Sequence, residues 1–234
     1  MTCDRVHWTF FTQKDHLLAK VRPAFEHLNS LQLRISTCHE DNDGVEVTGC
    51  ANLSSRTRVL QSGSLRNLVT TAPDLKNLDI GSHPVYGHLP PICLTNAVGT
   101  HHWQYLERAS FSYLSTLEEV LLGFCDRHAK NLTDLSIIGL TLTSGCWQRV
   151  FQRIRKALRL KSVEVSGWLM SYDPEDEHNL DDVWEDAERV ETKKPRIRVA
   201  IEAYLLEDGD SEPMNLDPAL YGLYDDDNTA TGRL

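Results

Sequence analysis

The sequence predicts an α/β chain coiled as a solenoid, with a parallel β-sheet on one face and helices on the other. Three observations predict it. A short template, Leu-x-x-apolar-x-apolar, recurs at Leu28/Leu31/Leu33, Leu75/Leu78/Ile80, Leu132/Leu135/Ile137 and Leu160/Val163/Val165, with a degenerate copy at Leu106/Ala109/Phe111. The copies are nearly evenly spaced: 31, 26 and 28 residues separate the leading leucines from Leu75 to Leu160. A helical period fills most of the gaps. One such unit has an apolar flank that it cannot cover alone. Burying a Leu or Ile side chain is worth roughly 1.5–3 kcal/mol, and a stacked neighbour supplies the cover. An ordinary α/β domain with several Leu-rich strands is the alternative.

Residues 1–12 carry Val6, Trp8, Phe10 and Phe11 and read as an edge strand or a capping segment. Residues 13–28 read as a helix, with Leu17, Leu18, Val21, Phe25 and Leu28 on one face, and Pro23 predicts a kink or an early stop. The polar run 36–58 reads as an insertion. Residues 57–70 predict a weak helix, because Gly63 costs about 1 kcal/mol inside one. Gly81 to Pro91 is loop-like.

Two stronger helices follow. Leu117, Val120, Leu121, Phe124 and Cys125 line one stripe, with Glu118 and Glu119 near its start. In the next, Thr143 and Ser144 are the N-cap candidates. Trp147, Val150, Phe151, Ile154 and Leu158 form its apolar face, and Arg149, Gln152, Arg153, Arg155 and Lys156 its polar face. Beyond Leu160 the reading weakens. The run 179–190 suggests a helix inside an acidic insertion at 171–194, and Val199 and Ile201 keep the last two template positions, suggesting a further strand. The domain therefore runs over 1–206, with 207–234 as an acidic, disordered tail.

The net charge of −10 is uneven: residues 1–172 hold 18 basic and 15 acidic side chains, residues 173–234 hold 6 and 19. That acidic end repels phosphate backbones and argues against nucleic-acid binding. No apolar run reaches the roughly 20 residues of a membrane helix. The first residues lack the basic and apolar regions of a secretory signal. Cys3, Cys38, Cys50, Cys93, Cys125 and Cys146 are scattered without a CxxC pair. Reduced thiols in a cytoplasmic or nuclear setting are the expectation. Asn52 and Asn131 match the glycosylation pattern, which that setting leaves unused.

No phosphate loop, nucleophile elbow or His-Glu-x-x-His helix occurs. Cys125 and His128 are three apart and could share a metal, as could His101 and His102. Zinc wants four ligands, so Cys125 reads as core, His128 as a solvent-facing turn residue, and the His pair as surface imidazoles. The acid run from Asp173 to Glu188 lacks a calcium-loop turn. No cofactor is expected.

Between the core positions, period two places the remaining strand residues on the opposite sheet face. Gln32, Arg34, Asn77, Asp79, Arg108, Ser110, Asp134, Ser136, Ser162 and Glu164 form the expected protein-binding face, with Ser30, Ser112, Ile138 and Ser166 at its margins. The inner sheet of a curved repeat array is its usual binding surface.

His128-Ala-Lys-Asn-Leu132, Leu140-Thr-Leu142, and Ser144-Gly-Cys-Trp147 leading to Leu158-Arg-Leu160 resemble an irregular leucine-rich repeat, and more narrowly the repeat region of fungal F-box proteins. The resemblance is best over 103–169. It implies a substrate-recognition part of a cullin-type ubiquitin ligase, whose F-box docks on the Skp1 adaptor. No F-box is legible here, so no adaptor-binding residue carries over. The chain is then a fragment or truncated relative, or stands outside a ligase. A free-standing scaffold with an unknown protein ligand is the alternative. An α/β enzyme is the third reading, and it requires His101, His102 or Asp134 to converge on a pocket.

Overall fold

A computed structural model of the chain describes residues 2–12, 15–36, 39–40, 46–47, 53–82, 92–171, 188–191 and 195–206. It is an α/β structure built on a six-stranded, all-parallel, open sheet. Its strands, in spatial and chain order, are β1 (Thr2–His7), β2 (Ser30–Ser36), β5 (Asn77–Ser82), β6 (Arg108–Ser112), β8 (Asp134–Ile138) and β10 (Ser162–Ser166). A small hairpin of β3 (His39–Glu40) and β4 (Glu46–Val47) lies between β2 and β5 in the chain. A second sheet runs β12 (Glu188–Glu191), β11 (Trp168–Ser171), β9 (Thr141–Ser144), β7 (Ser115–Leu117), parallel except for the β11–β12 pair.

The template residues stand in register. Leu31, Leu78, Ala109, Leu135 and Val163 form one cross-strand row, and Leu33, Ile80, Phe111, Ile137 and Val165 the next. All but Val163, which is partly covered, are buried. The strand starts are joined in the same order. The carbonyl of Asn29 accepts from the N–H groups of Lys76 and Asn77, that of Lys76 from Glu107 and Arg108, that of Glu107 from Thr133 and Asp134, and that of Thr133 from Lys161 and Ser162. From β2 to β10 each strand start is therefore tied to the next by backbone hydrogen bonds.

After β6, β8 and β10 the chain turns a corner into β7, β9 and β11. Tyr113, Gly139 and Gly167 hold the corners at φ 53, 56 and 79°. Gly139 fits a left-handed turn and also a close approach, since a Cβ there would sit 2.6 Å from Cε1 of Tyr113. A Cβ at Gly167 would sit 2.8 Å from the Gly139 nitrogen. The corners thus stack as tightly as the strands.

The helices are α1 (Asp15–Phe25), α2 (Leu53–Gln61), α3 (Ser64–Val69), α4 (Leu94–Val98), α5 (Glu118–His128), α6 (Trp147–Ala157) and α7 (Pro195–Leu206). From α3 onward each packs on the next. The core lies between this helical layer and the two sheets, with Trp103, Trp147, Phe111, Phe124 and Phe151 its largest fully buried side chains. Two of these are also tied down at their polar ends: Trp103 Nε1–H donates to the Ala72 carbonyl at 2.9 Å, and Trp147 Nε1–H to that of Met170 at 3.0 Å.

Several sequence expectations change. The last template copy is not a strand: Pro195 opens α7, and Ile201 and Leu205 bury one side of it. Part of the run read as a helix at 179–190 is β12; the rest, with the acids from Asp173 to Asp186, lies outside the described residues, as does the tail 207–234. The weak helix at 57–70 is two helices, hinged at Gly63 (φ 86°), and α2 begins at Leu53, within the segment read as an insertion. Pro23 sits inside α1, which runs only two residues further and ends at Phe25, short of the expected Leu28. Thr143 lies inside β9 and Ser144 ends it, so neither caps α6; Cys146 holds the N-cap position and Glu118 Oε2 accepts its backbone N–H at 2.9 Å. Arg155, assigned to a polar face, is buried, its guanidinium 4.4 Å above the Tyr204 ring. Within residues 2–12 the chain does form an edge strand, Thr2–His7, followed by a 3₁₀ turn, Trp8–Thr12, that buries Trp8 and Phe11.

Candidate functional site

The residues between the core rows emerge on the other face of the six-stranded sheet, also in register. One row is Ser30, Asn77, Arg108, Asp134, Ser162; the next is Gln32, Asp79, Ser110, Ser136, Glu164; a third is Arg34, Gly81, Ser112, Ile138, Ser166. The structure therefore brings every residue expected on the binding face onto one surface. The first two rows line a trough of about 410 Å³. Ser110 and Ser136 make its middle low, because the longer Gln32 and Asp79 stand on one side and Glu164 on the other.

The charges on this face are mostly paired. Arg34 donates from Nη2 to Asp79 Oδ2 at 2.9 Å and from Nη1 to Ser112 Oγ at 2.9 Å, and Nη1 lies 2.8 Å from Asp79 Oδ1 in ion-pair contact without hydrogen-bond geometry. The absent side chain at Gly81 matters here: a Cβ would strike Arg34 Nη1, so glycine lets the guanidinium lie flat across the row. Ser112 is buried beneath that arginine and belongs to the scaffold rather than to the accessible face. Arg108 is 68% exposed and stands 3.8 Å from Asp134 Oδ1, while Thr133 Oγ–H donates to Asp134 Oδ2 at 2.7 Å. Ser136 Oγ–H donates to Glu164 Oε2 at 3.1 Å. An array like this offers donors and acceptors at the strand spacing of about 4.8 Å.

A second concavity, about 350 Å³, lies between α5 and α6 on the helical side. Two of its three acids, Glu118 and Asp126, are matched. Arg149 grips Glu118 through Nε and Nη2 at 3.0–3.2 Å, and Arg153 reaches Asp126 at 3.5 Å. Partial burial pushes the Glu118 carboxyl up, but the Arg149 hydrogen bond, the Cys146 N–H and the Arg149 and Arg153 charges together hold it below its ordinary value. Glu118 thus caps α6 from a neighbouring helix. Sequence reasoning missed that role, since the partners are 28 and 31 residues apart.

Of the residues tested for metal or acid–base chemistry, His101, His102 and His128 gather around Trp103, and Asp134 lies apart from them. His128 is not at the surface: it is 2% exposed, its Nδ1–H donates to the Phe124 carbonyl at 2.8 Å, and its Nε2 accepts the Trp103 N–H at 3.1 Å. Burial lowers its pKa to about 4, with the charges of His102, Arg127 and His101 adding to the effect. Both ring nitrogens are taken, so it is a structural clamp. Burial pushes the Cys125 thiol up to about 12, unsuited to the thiolate that metals bind. His101 and His102 pack on Trp103 and His128, whereas Asp134 contacts Arg108 and Thr133; they share no partner. Among the described residues no group of three His, Cys, Asp or Glu side chains is placed to hold a metal.

No protein-family model, curated protein or solved structure matches the chain. The site is therefore read from its own chemistry. Among the described residues, no helix is long and apolar enough to cross a membrane.

Proposed function

We propose that residues 1–206 form an irregular leucine-rich-repeat solenoid and that the polar sheet face recognises a protein partner. One observation carries the reading: five parallel strands present their outward residues in unbroken register, from β2 to β10, around a trough floored by small hydroxyl side chains. Such an array suits an extended segment or a loop of another protein, which finds regularly spaced donors, acceptors and mixed charge. The face pairs its arginines with carboxylates, and the chain is acidic overall, so a phosphate backbone is a poor ligand. Among the described residues no histidine lines the trough beside these serines, which favours binding over catalysis. The resemblance to fungal F-box proteins extends the reading to substrate recognition for a ubiquitin ligase, with Skp1 and a cullin as further partners; a scaffold outside that machinery is the alternative.

Cross-linking in cells tests both levels. Asp134→Arg and Ser136→Arg are expected to lose at least one protein partner by more than tenfold, while Glu119→Arg, on the helical layer, keeps it. Equal loss in all three, or loss confined to Glu119→Arg, overturns the sheet face as the binding surface. If the retained partners include neither Skp1 nor a cullin, the scaffold alternative replaces the ligase role.

A further inference from the structure

Two guanidinium groups meet at the end of α4 with no carboxylate to answer them. Arg127, on the last turn of α5, donates from Nη2 to the carbonyl of Gly99 at 3.0 Å. Arg66 of α3 comes to the same glycine: a Cβ there would sit 2.7 Å from Arg66 Cδ and 3.4 Å from its Nη1. Gly99 stands at φ 57°, so glycine both makes this turn and leaves the room. Two more glycines border the pair. A Cβ at Gly63 would lie 3.2 Å from Arg66 Nη2, and one at Gly123 3.3 Å from Arg127 Nη1. A larger residue at any of the three would crowd one guanidinium or the other.

Like charges held this near repel. Arg149 and Arg153, one helix on, are each answered by a carboxylate, Glu118 and Asp126. Among the described residues no carboxylate stands in ion-pair contact with Arg66 or Arg127. Asp126, beside Arg127 in the chain, is engaged by Arg153 instead. The Nε–H of Arg127 is covered and has no acceptor among the described residues, a costly state for a donor. Burial also holds the Arg127 pKa below the ordinary arginine value. Capping α4 does not account for the pair. One cation serves a helix C-terminus, and α4 has only five residues.

We propose that Arg66 and Arg127 clasp a phosphate monoester at the junction of α3, α4 and α5. Such a group carries roughly −1.5 to −2 charges at neutral pH and three terminal oxygens. That is enough to accept from two planar forks at once. A carboxylate brings one charge and two oxygens and leaves one guanidinium unanswered. The place is open: Arg66 and Thr100 are exposed and Arg127 is half-buried. It lies on the helical layer, apart from the polar sheet face, and does not depend on what that face binds. The chain as a whole, at −10, repels anions, so uptake would report this local geometry. The terminal oxygens are the same on free phosphate and on a phosphorylated side chain.

Spectra of the ¹⁵N-labelled arginine Nε–H groups test this, with inorganic phosphate added at constant ionic strength against chloride. The Arg66 and Arg127 signals are expected to shift together and saturate, with half-saturation on the order of 1 mM or below. Arg66→Lys keeps the charge but loses the fork, and should weaken binding by more than about tenfold. The Arg66 side chain is exposed and makes no hydrogen bond among the described residues, so this change does not threaten the fold. Arg153→Lys, on the same layer, should leave binding unchanged. Tighter binding of O-phosphoserine than of inorganic phosphate would make the source a phosphorylated side chain; the reverse order would make it the free anion. Shifts that never saturate, that chloride reproduces, that survive Arg66→Lys, or that Arg153→Lys weakens equally overturn the proposal.

Discussion

The stretch from Trp103 to Ser171 and the stretch from β1 to β5 are joined by one sheet but built differently. In the first, two units have the same parts, a strand, a left-handed corner, a second short strand and one helix, and a third repeats the strand, corner and short strand, the leading leucines lying 26 and 28 residues apart. In the second, 47 residues separate Leu28 from Leu75, and a hairpin and two helices fill the gap. Yet β2 pairs with β5 through six consecutive residue pairs, as regularly as β8 pairs with β10. The main sheet demands only that each strand return to its neighbour's edge. Loop closure grows by about 0.6 kcal/mol per doubling of length, so an insertion between strands is tolerated where a one-residue slip within a strand would turn the whole apolar row outward.

The largest blow to this comparison comes from the shared row. Phe111 sits between Ile80 and Ile137 and meets Phe124 edge-on at 5.0 Å. Phe111→Ala is expected to destabilise by about 4 kcal/mol, and Leu33→Ala in the irregular half by about 3 kcal/mol. Urea unfolding with one transition for both would show that the halves are one cooperative unit; two transitions, each moved by only one variant, would separate them.

Acid should act on the regular half first. The pKa of His128, about 4, lies below its ordinary 6.5, so between these values the unfolded chain takes up a proton that the folded chain refuses. Stability is then expected to fall as pH drops from 6.5 to 4 and to level off below, by up to about 3 kcal/mol. Glu118, also lowered, contributes stability above the ordinary carboxylate range and loses it at lower pH. His128→Gln, followed by urea midpoints against pH, should flatten the upper part of the slope and leave the lower part.

Corners sharpen the contrast further. Gly139→Ala meets both a left-handed backbone and the Tyr113 ring, and about 2 kcal/mol of destabilisation is expected. At Gly63 the nearest atom to a new Cβ is Arg66 Nη2, 3.2 Å away at the free end of a long side chain. Gly63→Ala should therefore cost about 1 kcal/mol, the backbone strain alone. Equal effects would mean that the stacked corners add nothing to the fold.

The smallest effect belongs to the polar face. A double-mutant cycle on Arg34 and Asp79, both about one-quarter exposed, should return a coupling of about 0.5–1 kcal/mol. A coupling near zero would mark the pair as available to a partner rather than committed to the scaffold.

The legibility of the chain follows the same division. The Leu template located β2, β5, β6, β8 and β10, because a strand buried on one face must alternate and each copy had to offer the same flank to its neighbour. That alternation also placed Asn77, Asp79, Ser110, Ser136 and the rest of the polar rows. It failed at Val199 and Ile201, where two apolar residues two apart suited a strand, but Ile201 and Leu205, four apart, were what the core took up. The second sheet was missed because its strands are short, though Gly139 and Gly167, one residue past their strands, were a visible signal. His128 was misplaced because nothing local reveals that Trp103, 25 residues earlier, supplies a donor for its ring.

By itself the sequence determined the period, the apolar rows and the outward residues, since these depend on alternation within a few neighbouring positions. The tertiary structure alone decided the strand register, the stacked corners, the Glu118 cap on α6, the flat Arg34 over Gly81 and the burial of His128. Each of these joins residues far apart in the chain, and their pairing is set by which surfaces meet when neighbouring strands and helices pack side by side.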